Sequence, residues 1–301
     1  MNLSSLRERV ANATGLSTSD ASSLTKIDAW INQAYQHVSG LYGWPWLVKQ
    51  GTLVTSADIT TGTVSITAGD TALTFSSAPA ASVAGNWMIQ FTSVSDDWYD
   101  IATHTAASTS AVLASTFNGT SNLSGASYIL RKVYYSLPSD LDRIISIRQM
   151  RTDFSLIPVD IRYLDKALPD PDVTGIPTNY ALFGLDSSNY WKMTVYPTPN
   201  AAMNLLVRYY KKITELSATT DEPILPTKFH NAIVHCALYL YGYQYIDDTR
   251  QQESKKAFEQ LIEDMKQNSS VVPGAVATPI PWDQRPSRSH IGLQLPEHIG
   301  D

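Results

Sequence analysis

Cysteine is almost missing from this 301-residue chain: Cys236 stands alone, so neither an internal disulfide nor a multi-cysteine zinc site can form. Assembly in a reducing cytoplasm fits that usage. Long apolar runs are missing too. The start, MNLSSLRERVANATG, has no apolar signal core, and no stretch approaches the roughly 18 apolar residues of a membrane span, so neither secretion nor insertion into a membrane is expected. The triplets at Asn2, Asn12, Asn118, Asn122 and Asn268 therefore read as Ser/Thr-rich composition and not as glycosylation sites. The most local absence is of basic residues. Residues 51–130 hold no Lys or Arg, only Asp58, Asp70, Asp96, Asp97 and Asp100, within a chain of net charge −6. No segment carries the basic excess that tight phosphate binding needs, so gripping of DNA is disfavoured while passage of DNA nearby is not.

Catalytic signatures are absent in turn. There is no phosphate-binding Gly-rich loop with its Lys-Ser/Thr, no dinucleotide glycine fingerprint and no Gly-x-Ser-x-Gly elbow. His230 and His235 stand five apart on an expected helix and point to different faces, so they do not make the i, i+4 pair of a helical metal site. Cys236 beside His235 diverges from it by about 100° on a helix, which excludes a dyad by adjacency. Carboxylate pairs at Asp96/Asp97, Asp140/Asp142, Asp170/Asp172, Asp221/Glu222 and Asp247/Asp248 sit in turn-like contexts, where Asp accepts backbone hydrogen bonds. The segment DDWYD, with Trp98 and Tyr99 between acids, is the best candidate for a carbohydrate contact, against the plainer reading of a loop or strand edge. No catalytic residue, cofactor site or metal site is assigned, and the chain is not expected to be an enzyme.

With 43% hydrophobic and 17% charged residues the chain can bury a sizeable core. Leu3, Leu6, Val10 and Ala13 share one helical face, and Gly15 is placed as a stop. A second helix, capped by Ser22 or Ser23, carries Leu24, Ile27, Ile31, Ala34, Val38 and Leu41 as a stripe that Trp30 and Tyr35 widen. Trp44 and Trp46 flank Pro45 as a bulky plug at its end. From Gly51 the texture changes to short alternating runs such as TVSIT, ALTF, WMIQF and AVLAS, punctuated by glycine turns, which read as a small inserted β barrel or sandwich over 51–131. Mixed antiparallel β structure follows over 132–225. Its key stretch is Tyr196 to Lys228, where YPTPN turns the chain, LLVRYYKKI forms a strand, and an acidic, proline-bearing link leads back to helix. Residues 226–267 carry helical stripes through Phe229, Ile233, Ala237 and Leu240, then through Phe258, Leu261, Ile262 and Met265. The fold expected is α+β: a helical bundle built from the N-terminal helices (1–50) and C-terminal helices (226–267), with inserted antiparallel β modules. Residues 268–301, with five prolines and single apolar anchors, are expected to be an extended tail.

Four segments, IDAWINQAYQHVSGLYGWPWL, YYSLPSDLDRIISIR, YPTPN with LLVRYYKK, and DEPILPTKFHNAIVHCALYLY, together resemble the head-to-tail adaptor proteins of tailed bacteriophages, also called connector or head-completion proteins. The resemblance covers roughly residues 24–50 and 134–265. It implies a structural virion protein: a ring, usually of twelve subunits, assembled in the host cytoplasm, docked between the portal protein and a tail or nozzle protein, with double-stranded DNA passing unbound through its lumen. It also implies that an extended C-terminal segment reaches the portal, and Ile280, Trp282, Ile291, Leu293 and Leu295 are the expected anchors. Two alternatives remain at this stage, a tail-associated carbohydrate-binding or depolymerising protein and another neck or tail subunit.

Overall fold

The computed structural model describes residues 1–93, 97–150, 154–167 and 172–270. Helix α1 (Leu3–Thr14) begins where the Asn2 side chain accepts from the Ser5 amide at 3.1 Å. It stops at Gly15, whose left-handed φ of 71° turns its N–H back to the Ala11 carbonyl. Helix α2 (Ala21–Gly40) is capped by Asp20 and not by Ser22 or Ser23. The Asp20 carboxylate accepts from the Ser23 amide at 2.8 Å and from the Ser22 hydroxyl at 3.0 Å, since a charged acceptor suits the positive end of the helix better than a hydroxyl does. Ile27, Ile31, Ala34, Tyr35 and Val38 are buried as the stripe predicts, whereas Leu41, past the last turn, is exposed. Trp44 is fully buried, stacks on Trp46 at 4.9 Å between ring centroids and donates its indole N–H to the Val38 carbonyl.

Strand β1 (Val48–Val54) leaves this layer. Seven strands follow in succession: β2 (Val64–Ile66), β3 (Ala72–Phe75), β4 (Trp87–Gln90), β5 (Trp98–His104), β6 (Ser110–Leu113), β7 (Leu123–Ala126) and β8 (Ile129–Lys132). They form one curled antiparallel sheet in the order β7-β2-β3-β6-β5-β4-β8, closed over a core that includes Phe75, Ile89, Phe91, Phe117 and Leu130. The chain then adds β9 (Tyr134–Ser136), β10 (Leu141–Gln149), β11 (Ile157–Pro158), α3 (Ile161–Ala167), β12 (Asn179–Leu185), β13 (Trp191–Tyr196) and β14 (Asn204–Lys211). Two sheets result, β1-β14-β10 and β11-β12-β13-β9, and they share a core around Tyr135, Ile147, Met193, Val195 and Val207. Pairing between these strands is antiparallel except for the two-residue β11·β12 contact. Helices α4 (Asn231–Leu240) and α5 (Asp248–Ser270) complete the described chain.

This architecture corrects the expected bundle with an inserted β module. Among the described residues the framework is β-rich: fourteen strands in three sheets set against five α-helices. The β structure is not a closed insert either. Strand β1, which straddles the boundary expected at residue 50, pairs with β14 from Val48↔Tyr210 to Val54↔Asn204, so the N-terminal part of the chain is woven into one sheet with β14 and β10. The helices α1, α2, α4 and α5 pack their apolar faces together as a flanking layer, and the strand side joins that core through Tyr210, Ile213 and Leu216. Periodicity identifies elements one at a time, whereas long-range strand pairing decides which of them frames the molecule, and single stripes do not encode it. Helix α5 runs to Ser270, two residues beyond the expected start of the tail. The remainder, with Ile280, Trp282, Ile291, Leu293 and Leu295, lies outside the described residues.

Candidate docking surfaces

The residues with the best claim to chemistry are taken up by structure. Tyr99 is buried against Phe91 and Phe117, and its hydroxyl bonds the Asn118 side chain. Trp98 donates its indole N–H to the Asp172 carboxylate at 3.0 Å and lies under the Arg131 guanidinium, 5.0 Å from ring centroid to carbon. Arg131 forms a two-pronged pair with Asp58 at 3.0 and 2.6 Å, and its other amino group stands 3.9 Å from Asp172. The DDWYD segment is thus part of a clasp that ties the seven-stranded sheet to the approach to β12. Asp96 and Asp170 lie outside the described residues.

The remaining acids shape turns or hold strands. Asp221 accepts the amides of Ser217 and Ala218, each at 2.8 Å, and Asp247 accepts that of Arg250 at the start of α5. Asp140 ties two elements together by accepting from Lys49 and from the Tyr209 hydroxyl, both at 2.7 Å. Burial pushes the Asp140 carboxyl upward, but those two donors outweigh it and hold the group below its usual range. His230 is buried between the Met1 amino group, 2.7 Å from Nδ1, and the Leu225 carbonyl, 2.8 Å from Nε2. Burial drives the Cys236 thiol up to about 12, far from a nucleophile's range. Among the described residues no cluster of His, Cys, Asp and Glu could hold a metal ion.

Two features remain that chemistry does not explain. One is an apolar surface. Of nineteen large hydrophobic residues left exposed among the described residues, eleven fall between Ile145 and Tyr190, and most sit on or beside the four-stranded sheet. The β12–β13 hairpin is its most prominent part. Strand β12 is buried at Tyr180 and Ala181, then exposed from Leu182 onward, so the hairpin projects past the core with Leu182, Phe183, Leu185 and Tyr190 in solvent. Its turn is rigid. Asp186 accepts the amides of Ser188 and Tyr190 at 2.8 and 2.9 Å, and those bonds, the Tyr190 one first, keep its carboxyl ionised below the usual range. On one face of the hairpin Phe183 stacks on Tyr134 at 5.2 Å, with the Lys192 ammonium 4.6 Å from the Tyr134 ring centroid. Exposed apolar side chains grouped on one element in this way are a candidate interaction surface.

The other is a groove of about 690 Å³ between α1, α4 and α5. Val234, Leu238, Ala13, Ile246 and Ala257 supply its apolar lining, and Arg9, Arg250 and Glu253 supply charge. Arg9 donates to the Asn231 side chain at 2.9 Å, and Arg250 stands 3.7 Å from Asp247. His235 faces this groove with its Nδ1 buried and without a hydrogen-bond partner, an arrangement that calls for explanation. Burial, and secondarily the Arg9 charge, lower its pKa, so the imidazole is neutral at physiological pH. Sequence reasoning found neither surface: LFGL in β12 reads as a strand whether its side chains are covered or bare, and the groove is assembled from three separate helices.

The family model described as SU10 adaptor protein matches residues 109–279, more than half of the chain. The chain belongs to that family. The matched stretch runs from β6 through α5 and so contains the exposed apolar sheet and two of the three walls of the groove, while the expected N-terminal similarity over residues 24–50 lies outside it. No curated protein matches the chain. Membership makes this adaptor a bacteriophage structural protein and a component of the virion, in contact with other phage structural proteins. No helix among its described residues is long and apolar enough to cross a membrane.

Proposed function

We propose that this adaptor sits at the junction of capsid and tail, where its subunits close into a dodecameric ring that joins the portal to the tail and leaves a channel for the genome. Family membership and the uncovered apolar sheet support this reading. The sheet is the observation that carries it, because a virion component must bury such a surface against neighbours. A ring whose subunits contact head to tail also needs two dissimilar surfaces on each copy, and the projecting hairpin and the helical groove differ in shape and in chemistry.

The portal contact is assigned to the segment after α5. Ile280, Trp282, Ile291, Leu293 and Leu295 are spaced as single anchors for a partner's groove or sheet edge. At roughly 3.3 Å per residue this segment reaches on the order of 100 Å when extended. The base-free stretch 51–130 takes the opposite role, as a surface that DNA passes without being held, since nothing in it neutralises phosphates. Truncation after Ser270 tests the reading directly. The shortened protein should keep its fold, by circular dichroism and melting, and lose portal binding; undiminished binding would refute the assignment of the tail.

A further inference from the structure

We propose that the β12–β13 hairpin of one copy seats in the α1/α4/α5 groove of the next copy, forming the contact that closes the ring. The inference rests on the ring reading above and names the surfaces that make it. Three observations converge on this occupant. The hairpin and the groove belong to different parts of the molecule, because the four-stranded sheet packs in the core around Tyr135, Met193 and Val195, whereas α1, α4 and α5 pack in the helical core. One copy can therefore offer its hairpin to one neighbour while it receives a hairpin from the other, as heterologous closure requires.

The chemistry is complementary as well. The hairpin ends in a carboxylate, Asp186, fixed by two turn amides, and the groove carries the guanidinium groups of Arg9 and Arg250 against the single carboxylate of Glu253. Behind the carboxylate, Leu182 and Leu185 are exposed and Phe183 is partly so, and the groove offers Val234, Leu238 and Ala257.

A cysteine pair tests the contact in the assembled ring. Asn12 at the groove and Tyr190 on the hairpin are both exposed, and the native Cys236 is buried. The Asn12→Cys/Tyr190→Cys variant, mixed with portal and mildly oxidised, should give a ladder of covalent oligomers that neither single variant gives. A control pair, Asn12→Cys with Val112→Cys on the seven-stranded sheet, should give none. As an independent measure, Leu185→Ser, at a side chain left in solvent, should weaken copy-to-copy association by about tenfold or more while leaving the melting temperature in place, and Asp186→Arg should weaken it at least as much with a lower melting temperature, because the turn amides lose their acceptor. Asp186→Arg should regain assembly when paired with Arg250→Asp. If the parent chain forms rings by native mass spectrometry but no ladder appears and both substitutions assemble like the parent, the contact is wrong and the ring stands. If the parent forms no ring even with portal, the ring reading fails and this contact falls with it.

Discussion

Arg131 is the first basic residue after the stretch without Lys or Arg, and the structure both pairs it and stacks it. It is 5% exposed, doubly bonded to Asp58 and stacked on Trp98. Arg131→Ala leaves Asp58 partly buried without its partner and should lower stability by about 3 kcal/mol in chemical denaturation. Removing both charges with Arg131→Met/Asp58→Leu should recover much of that loss. Cys236 gives a sharper, all-or-none expectation: with its thiol raised to about 12 by burial, it should resist a thiol reagent in the native state and react fully once unfolded. Fast native labelling would contradict the packing of α4. Asp20 sets a pH dependence. Its bonds from Ser23, then Ser22, hold the carboxyl at about 2 against an ordinary 3.8, so its contribution is fully present above about pH 4 and lost as pH falls toward 2. Asp20→Asn, which keeps an acceptor at the cap, should show a shallower loss of melting temperature across that window.

At the scale of elements, the helices were legible and the sheets were not. Gly15 as a stop and the stripe from Ile27 to Val38 follow from a 3.6-residue period that one segment contains completely. The cap of α2 was misread because Asp20 and the serines it binds are adjacent and all three are good cap residues. Strands β2 to β8 carry local alternation, so their existence was readable, but the pairing of β1 with β14 joins segments far apart in the chain and depends on which hydrophobic faces meet. The hairpin illustrates the limit most clearly. Leu182, Phe183 and Leu185 look like core in sequence and are exposed in the structure. Substitutions should separate the two kinds of apolar residue. Ile31→Ala or Ile233→Ala, each removing a fully buried side chain, should cost about 2 to 5 kcal/mol, while Leu185→Ser should stay within about 0.5 kcal/mol and show its effect only in assembly.

For the whole molecule, family membership and the unused apolar surface support the proposed account of a subunit that holds neighbours through its folded body and, as proposed above, the portal through its C-terminal segment. The candidate site read from sequence, the anchors from Ile280 to Leu295, belongs to that segment, and the two surfaces added by the structure belong to the folded body. Composition could indicate the first because isolated apolar residues among prolines stand out without a fold. It could not indicate the others, since a groove between three helices has no local signature. The account is tested most directly by native mass spectrometry of the full-length protein mixed with assembled portal. It predicts a single complex carrying one complete ring of twelve copies, without partially loaded intermediates at saturation; portal of unchanged mass, or a random distribution of single bound copies, would contradict it.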